Sequence, residues 1–562
     1  MRPADWLALS PVAATEVCFL YAVYQSDSNF LSFSVTTSSG NFSVDWGDTT
    51  SNSYASGTTV SKQFLWASYG NVTSKGYRQA LVRITGNITG INLNLRHASV
   101  PLSTASSQIL SLAAQGSSIT TLTVSSSIPN ITHGSLEEFS FIGTCSLTTT
   151  QYMFLNCTAL QSVSFNDTQL VTNMLGMFYN CTSLQFVSLP TTGAVTDMSS
   201  MFYQCYSLQG VALPLTGSVL TMYEMFAYCY SLISVALPTT SAVTTMSRMF
   251  VFCSSLESVT LPNTSSCTTM QQMFATCRSL RSISIPRTDS LQVAASMFSN
   301  CSSLETVIMP TTGNVTNMNS MFSNCYSLSS VSLPNTGSVT DMGNMFSANL
   351  SLQSVSLTTT AVTSFNATFY LCYALQSVSL SSTANAGDMS SMFYSCYSLQ
   401  SVSFSSLASC TSLSNTFYSC VSLRSITLPS APSLQVISNA FYNCNSLESV
   451  SFSSAPAVLN MMTAFYYCTS LQTISGLNGN SVIGLSQLSG TFSNCGSLQN
   501  ITATNMKWTH SIESCKLSAT ALNAYYTALP TVTSQTLTVT GNWGTASDNP
   551  SIATAKGWTV TG

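Results

Sequence analysis

Fourteen cysteines recur along this chain at a nearly fixed spacing, and thiols in that number raise three chemistries: disulfide bonding, metal ligation, or burial as small apolar groups. Cys157, Cys181, Cys205, Cys229, Cys253, Cys277, Cys301 and Cys325 are each 24 residues apart. Asn349 takes the next place, Cys372, Cys396, Cys420, Cys444 and Cys468 resume the series, and Cys495 closes it after a slightly longer step. Cysteines one turn apart could bring their Cα atoms near bonding distance. In a regular repeat, however, their side chains point inward in parallel, and Asn349 has no sulfur to share. The spacing fits no zinc pattern, and His97, His133 and His510 do not cluster. The reading is a ladder of buried, reduced thiols in a slot that takes a small side chain near backbone groups.

Tyrosines form two further columns. Tyr206, Tyr230, Tyr326, Tyr373 and Tyr397 each follow a ladder cysteine; Tyr179, Tyr203, Tyr370, Tyr394, Tyr418, Tyr442 and Tyr466 each follow a recurring phenylalanine. Both positions adjoin buried ones, so the rings should reach the surface. There they either stack on one another along the repeat axis or form an aromatic strip that grips glycans or another protein. The candidate strip is Tyr203, Tyr206, Tyr230, Tyr326, Tyr373, Tyr394, Tyr397 and Tyr418. Asp45 and Asp48 could face a cation, but acids in a short turn more often shape the turn itself. The other acids, such as Asp197, Glu224, Glu257 and Glu305, are scattered singly. With no nucleophile constellation, phosphate loop or paired-acid site, the chain reads as non-enzymatic, with no cofactor.

The elements that hold these residues follow from one repeat, Val195 to Pro214. Met198, Met201, Phe202 and Cys205 fall at the i, i+3, i+4, i+7 spacing of one helical face, with Thr196 placed to cap it. Val211 and Leu213 then alternate with small residues as a strand does, and Pro214 ends the ladder. Each coil is therefore expected as short helix, turn, short strand, turn. Stacked coils put their strands into one parallel sheet at about 4.8 Å spacing, a rod on the order of 70 Å from the first ladder cysteine to the last. One coil buries too little to fold alone, so the ends should carry capping sequence.

The pattern Met-Phe-x-x-Cys-x-Ser-Leu-x-x-Val-x-Leu-Pro, at Met201–Pro214, Met225–Pro238, Met249–Pro262 and Met321–Pro334, resembles the BspA-like leucine-rich repeats of bacterial and phage surface proteins. The resemblance covers about residues 136 to 505. Later copies drift, with Thr368, Thr416 or Ala440 for Met and Thr358 or Ser381 for Pro. It implies adhesion or display. Leu189-Pro-Thr-Thr-Gly193, Leu213-Pro-Leu-Thr-Gly217 and Leu333-Pro-Asn-Thr-Gly337 match a sortase anchoring signal, but they are internal and periodic and read as strand-end turns. Thirteen Asn-x-Ser/Thr sequons occur, including Asn71, Asn130, Asn314 and Asn366. Asn156, Asn180 and Asn300 sit directly before ladder cysteines, where a glycan would crowd the turn.

The chain has 562 residues, 45% apolar and only 6% charged, with net charge −4. A long body with few charges and no basic stripe excludes nucleic-acid binding, and no uninterrupted 18-residue apolar run suggests membrane insertion. Residues 1–15 read as an N-terminal arm and a poor signal peptide, since Asp5 and Pro11 break its apolar core. An unprocessed start points to release by lysis inside a virus particle, or to a dedicated secretion system. Residues 16–90 read as a β-sandwich, in which Val44-Asp-Trp-Gly-Asp resembles the PKD-like signature with Thr49 for its last Gly. Arg2-Pro-Ala-Asp-Trp-Leu-Ala-Leu also resembles the opening of aquatic phage structural proteins. Residues 91–150 read as irregular cap turns, 151–505 as the solenoid and 506–562 as a small α/β capping module. That module is expected to hold a Ser518-capped helix, a strand from Gln535, a short helix after Pro550 and a closing strand. The fold class is mainly β with short helices. The expected role is a phage virion surface protein, fibre or decoration, that binds host-surface glycans or proteins. A bacterial cell-surface adhesin and a self-assembling extracellular filament are the alternatives. The partners would be other virion proteins or a second copy of the chain.

Overall fold

The computed structural model describes residues 6–9, 11, 14–101, 106–127, 131–482 and 484–562. It divides into two compact units, Met1–Leu280 and Arg281–Gly562.

The first unit begins with two sheets. β1 (Glu16–Val23), whose every side chain is buried, lies between β6 (Arg78–Thr85) and β8 (Ile109–Gln115), antiparallel to both. β3 (Phe42–Asp45) and β4 (Ser51–Tyr54) extend this sheet beyond β6. β2 (Asn29–Thr37), β5 (Thr59–Phe64), β7 (Ile88–Leu95) and β9 (Thr121–Thr123) form the second sheet in the order β5-β2-β7-β9. Between them Phe19, Phe33, Trp46 and Phe64 are fully or almost fully buried and in ring contact. β7 runs across residue 90, and β8 and β9 add strands to both sheets from the stretch expected as irregular turns. On its far edge β8 takes β10 (Glu138–Ile142) in parallel, and β10 takes β11 (Ser162–Phe165) in parallel. The first coils are thus added directly to a sandwich strand, which leaves no open edge where the pairing turns parallel.

From there most coils contribute a strand of three to six residues, and those at Ser332 and Ser401 a single parallel bridge. Phe186–Ser188 pairs with Gly210–Ala212 and Ser234–Ala236 with Ser258–Thr260, all in parallel at a 24-residue offset. The second unit repeats this with Ser354–Leu357 on Ser377–Leu380, and with a four-stranded parallel sheet of Ser425–Leu428, Ser449–Phe452, Thr473–Asn478 and Asn500–Thr504. Inward residues such as Val235, Leu237 and Val450 are buried and outward ones are mostly Ser or Thr, as the period of two requires.

The Met-Phe-x-x-Cys half is not a helix. Met198, Met201, Phe202 and Cys205 are fully buried, as their spacing implied, but they lie on consecutive turns. Alternate N–H groups close local turns: Met201 donates to Met198 O, Tyr203 to Ser200 O and Cys205 to Phe202 O. The N–H groups of Met198, Ser200, Phe202 and Gln204 instead donate to Thr221, Tyr223, Met225 and Ala227 of the next coil. An α-helix would point its donors along its own axis and offer none sideways to the neighbouring coil. This path needs two left-handed residues per coil, Ser200 (φ 52°) and Gln204 (φ 60°) in this one. Each costs about 1–2 kcal/mol, offset by the inter-coil bonds. Thr196 does not cap the segment. Its hydroxyl donates to Thr172 O, while Asp197 Oδ1 accepts from Ser199 N at 2.8 Å.

The second unit ends in a module of three parallel strands, His510–Ser511, Gln535–Thr538 and Trp558–Thr561, with α1 (Ala519–Ala528) and α2 (Ser551–Thr554). Ser518 caps α1 through a 3.2 Å bond from Ala521 N to its Oγ, and α1 lies against the strand Asn500–Thr504. His510 is buried and bridges Trp508 O and the Tyr525 hydroxyl, and burial holds its ring down at about 4.

Candidate functional site

Inside the coils the side chains are committed to holding the stack. All nineteen cysteines are free and buried. Cys205 Sγ donates to Phe178 O at 3.1 Å, a bond that reaches the carbonyl one coil back, and Cys181, Cys229, Cys253 and Cys277 do the same in the first unit. In the second unit Cys325, Cys372, Cys396, Cys420, Cys444, Cys468 and Cys495 repeat it. Cys157 is fully buried, and Cys301 is buried in the same slot. Asn349 meets the same requirement with its amide, Nδ2 to Phe322 O at 2.9 Å, but its Oδ1 is buried without a partner. The slot therefore selects a small hydrogen-bond donor, and sulfur fills it without a surplus acceptor. Burial raises these thiols, Cys372 to about 12, and keeps them protonated.

The ring behind each cysteine forms a dry column. Consecutive rings among Phe154, Phe178, Phe202, Phe226, Phe250 and Phe274 are stacked 5.3–5.4 Å apart in the first unit. A second ladder escaped the sequence reading. Thr192, Thr216 and Thr336 are fully buried, and their hydroxyls donate to Leu215 O, Thr239 O and Thr358 O in the next coil. These are the threonines of the sortase-like segments, whose side chains are therefore bonded into the stack. The left-handed slot before each cysteine was also missed, although its signal was present: asparagine, which tolerates that conformation, fills it at Asn156, Asn180, Asn300, Asn324, Asn443 and Asn494.

The two tyrosine columns differ in what they expose. In the column after cysteine, Tyr206, Tyr230, Tyr326, Tyr373 and Tyr397 are 37–44% exposed. Tyr206 stacks on Tyr230 at 5.2 Å and Tyr373 on Tyr397 at 4.8 Å. Tyr326 stands between Ser302 and Leu350 in its column and belongs to neither pair. In the column after phenylalanine the rings are half-buried. Tyr179 and Tyr203 stack at 4.5 Å, and Tyr370, Tyr394, Tyr418, Tyr442 and Tyr466 make an unbroken stack at 4.5–4.9 Å. Stacked rings turn their faces to each other and only edges and hydroxyls outward. Tyr203, Tyr394 and Tyr418 are in that position.

Asp45 and Asp48 shape the Trp46-Gly47 turn. Asp45 Oδ1 accepts from Gly47 N, Asp48 Oδ1 accepts from Thr50 N, and Asp48 Oδ2 takes the Lys62 ammonium at 3.0 Å. Gly47 is left-handed (φ 71°), and a Cβ there would lie 2.7 Å from Leu81 O, so the turn requires glycine. Of the sequons, Asn71 and Asn314 are exposed, while Asn130 lies outside the described residues. No helix among the described residues is long and apolar enough to cross a membrane.

A family model described as a BspA type leucine rich repeat region matches residues 220–345 and 389–523, in six copies. A second, described as a Mycoplasma protein of unknown function, matches residues 134–234 and 292–406. Over those residues the coils match BspA type leucine-rich repeats. Among solved structures, a leucine-rich repeat protein from Bacteroides ovatus is 18% identical, with 74% of this chain and 89% of that one covered and a TM-score of 0.33. A leucine rich cell surface protein from Faecalibacterium prausnitzii is 20% identical, with 66% and 79% covered and a TM-score of 0.26. No curated protein matches the sequence.

Proposed function

We propose that this is a non-enzymatic adhesive repeat protein, displayed on a surface and engaging neutral glycans or proteins through the exposed tyrosines that follow the ladder cysteines in each unit. The observation that carries the reading is the division of chemistry. The cysteines, buried threonines and phenylalanines are spent on stacking, while Tyr206, Tyr230, Tyr326, Tyr373 and Tyr397 stand exposed among uncharged Ser and Thr. An exposed phenol rim with few charges nearby suits polar, uncharged partners. The half-buried column is assigned to the scaffold. Replacing Tyr206, Tyr230 and Tyr326 with Ser tests the reading: attachment to cells per folded molecule should fall while thermal stability stays nearly unchanged. Lost stability with unchanged attachment would make the row structural.

The carrier we favour is a phage virion, with the sandwich as a PKD-like mount, on the resemblance of the opening residues to phage structural proteins. Display on a bacterial cell is the second reading, and the BspA-type match is compatible with it. Genes encoding capsid and tail proteins beside this one would favour the virion, and secretion genes would oppose it.

A further inference from the structure

We propose that the coils can close only on reduced thiols and, once closed, shield them, so that the chain folds in a reducing compartment and meets oxidants only after it is folded. Three observations carry this. Each ladder bond, such as Cys229 to Phe202 O at 3.1 Å, needs an S–H donor, and a disulfide has none. The one coil without a cysteine replaces the thiol with another donor, Asn349 Nδ2, so it is the hydrogen bond that the slot conserves. Finally, thiols repeat about one strand spacing apart in the stack, near 4.8 Å, within the Cα range a disulfide spans. Yet Cys267 and Cys410, which stand where other coils have Val195, Val219 or Val243, are as buried and as free as the ladder members.

The unfolded chain has no such protection. Its thiols titrate near 8.5, and any two can be joined by thiol–disulfide exchange with a small-molecule disulfide. Two protein thiols and one glutathione disulfide give one protein disulfide and two glutathione thiols; the two S–H protons and two electrons pass to the reagent. A bridge so formed removes two thiol donors, leaves two buried phenylalanine carbonyls with only the cysteine N–H of their own coil, and pins coils out of register. In the folded chain the same thiols are inaccessible and protonated, so exchange has no thiolate to start from.

The test is synthesis of the full chain in a cell-free system buffered with reduced glutathione or with glutathione disulfide. Protease-resistant product is expected from the first and at least tenfold less from the second. Purified native protein given glutathione disulfide should keep its mass, and its thiols should react with an aromatic disulfide reagent at least a hundredfold slower than in denaturant. Equal resistant product from both buffers overturns the proposal. So does a native protein whose thiols react as fast as those of the denatured chain, a measurement that stands even where cell-free folding fails.

Discussion

The first-unit and second-unit coils share one backbone path but place their aromatic surface differently. In the second unit the slot after phenylalanine holds five successive tyrosines, Tyr370 to Tyr466, in one stack. In the first unit the same slot holds Leu155, then Tyr179 and Tyr203, and then shrinks to Ala227, Val251 and Ala275, a buried apolar cluster on which Tyr203 and Tyr228 pack. The rings move one slot along, to the left-handed position, where Tyr228 and Phe252 stack at 5.0 Å. The inner slots are thus fixed by hydrogen bonds that every coil must make. The outer slots are free to vary, and most of their rings stack on a ring one coil away.

The largest expected effect is one that both regions share. The unfolded thiols ionise near 8.5 while burial holds the folded ones higher, Cys267 at about 11 and Cys372 at about 12. The folded state therefore binds more protons above pH 8.5. Stability is full below that pH and falls as pH rises toward the folded values. Melting temperatures from pH 7 to 10 should drop steeply. A flat profile would mean the ladder is open to solvent.

Next comes the single coil that departs from the rule. Cys420→Ala should cost about 0.5–1.5 kcal/mol by removing the thiol donor from Phe393 O, which keeps the Cys396 N–H, and Asn349→Cys should gain stability by removing the partnerless Oδ1. Denaturant midpoints measure both, and a loss at Asn349→Cys would show that the slot wants the amide itself.

The smallest effects separate the aromatic columns. Tyr418→Ser breaks two ring contacts and should cost about 1–3 kcal/mol, whereas Tyr206→Ser breaks one exposed contact and should cost less than about 1 kcal/mol. Val251→Tyr, which forces the second-unit pattern on the first unit, should destabilise it by about 1–3 kcal/mol, since Val251 is buried. Equal costs for Tyr418→Ser and Tyr206→Ser would erase the distinction between the columns.

Much of the fold was legible in the residues. The cysteine period gave the coil, Val-x-Leu-Pro gave the strand and its end, and Asn349 in a cysteine position pointed to a small group beside backbone. The tyrosine columns were legible as columns, but not which of them was exposed, because a ring's burial depends on side chains 24 residues away. The helix expected at Met198–Cys205 was wrong for an instructive reason. A buried face at i, i+3, i+4, i+7 is produced equally by a helix and by a chain of turns that alternates right- and left-handed residues.

The amino-acid order alone determined the repeat, the inward set of Met, Phe, Cys and Leu, and the outward Ser/Thr/Tyr set, because periodic burial is written in side-chain polarity. Tertiary structure alone decided where the backbone donors go. Gln204 N can reach Ala227 O only when another coil lies beside it, and that contact, absent from any isolated segment, selects turns over helix and makes the thiol at Cys205 a donor rather than an inert filler.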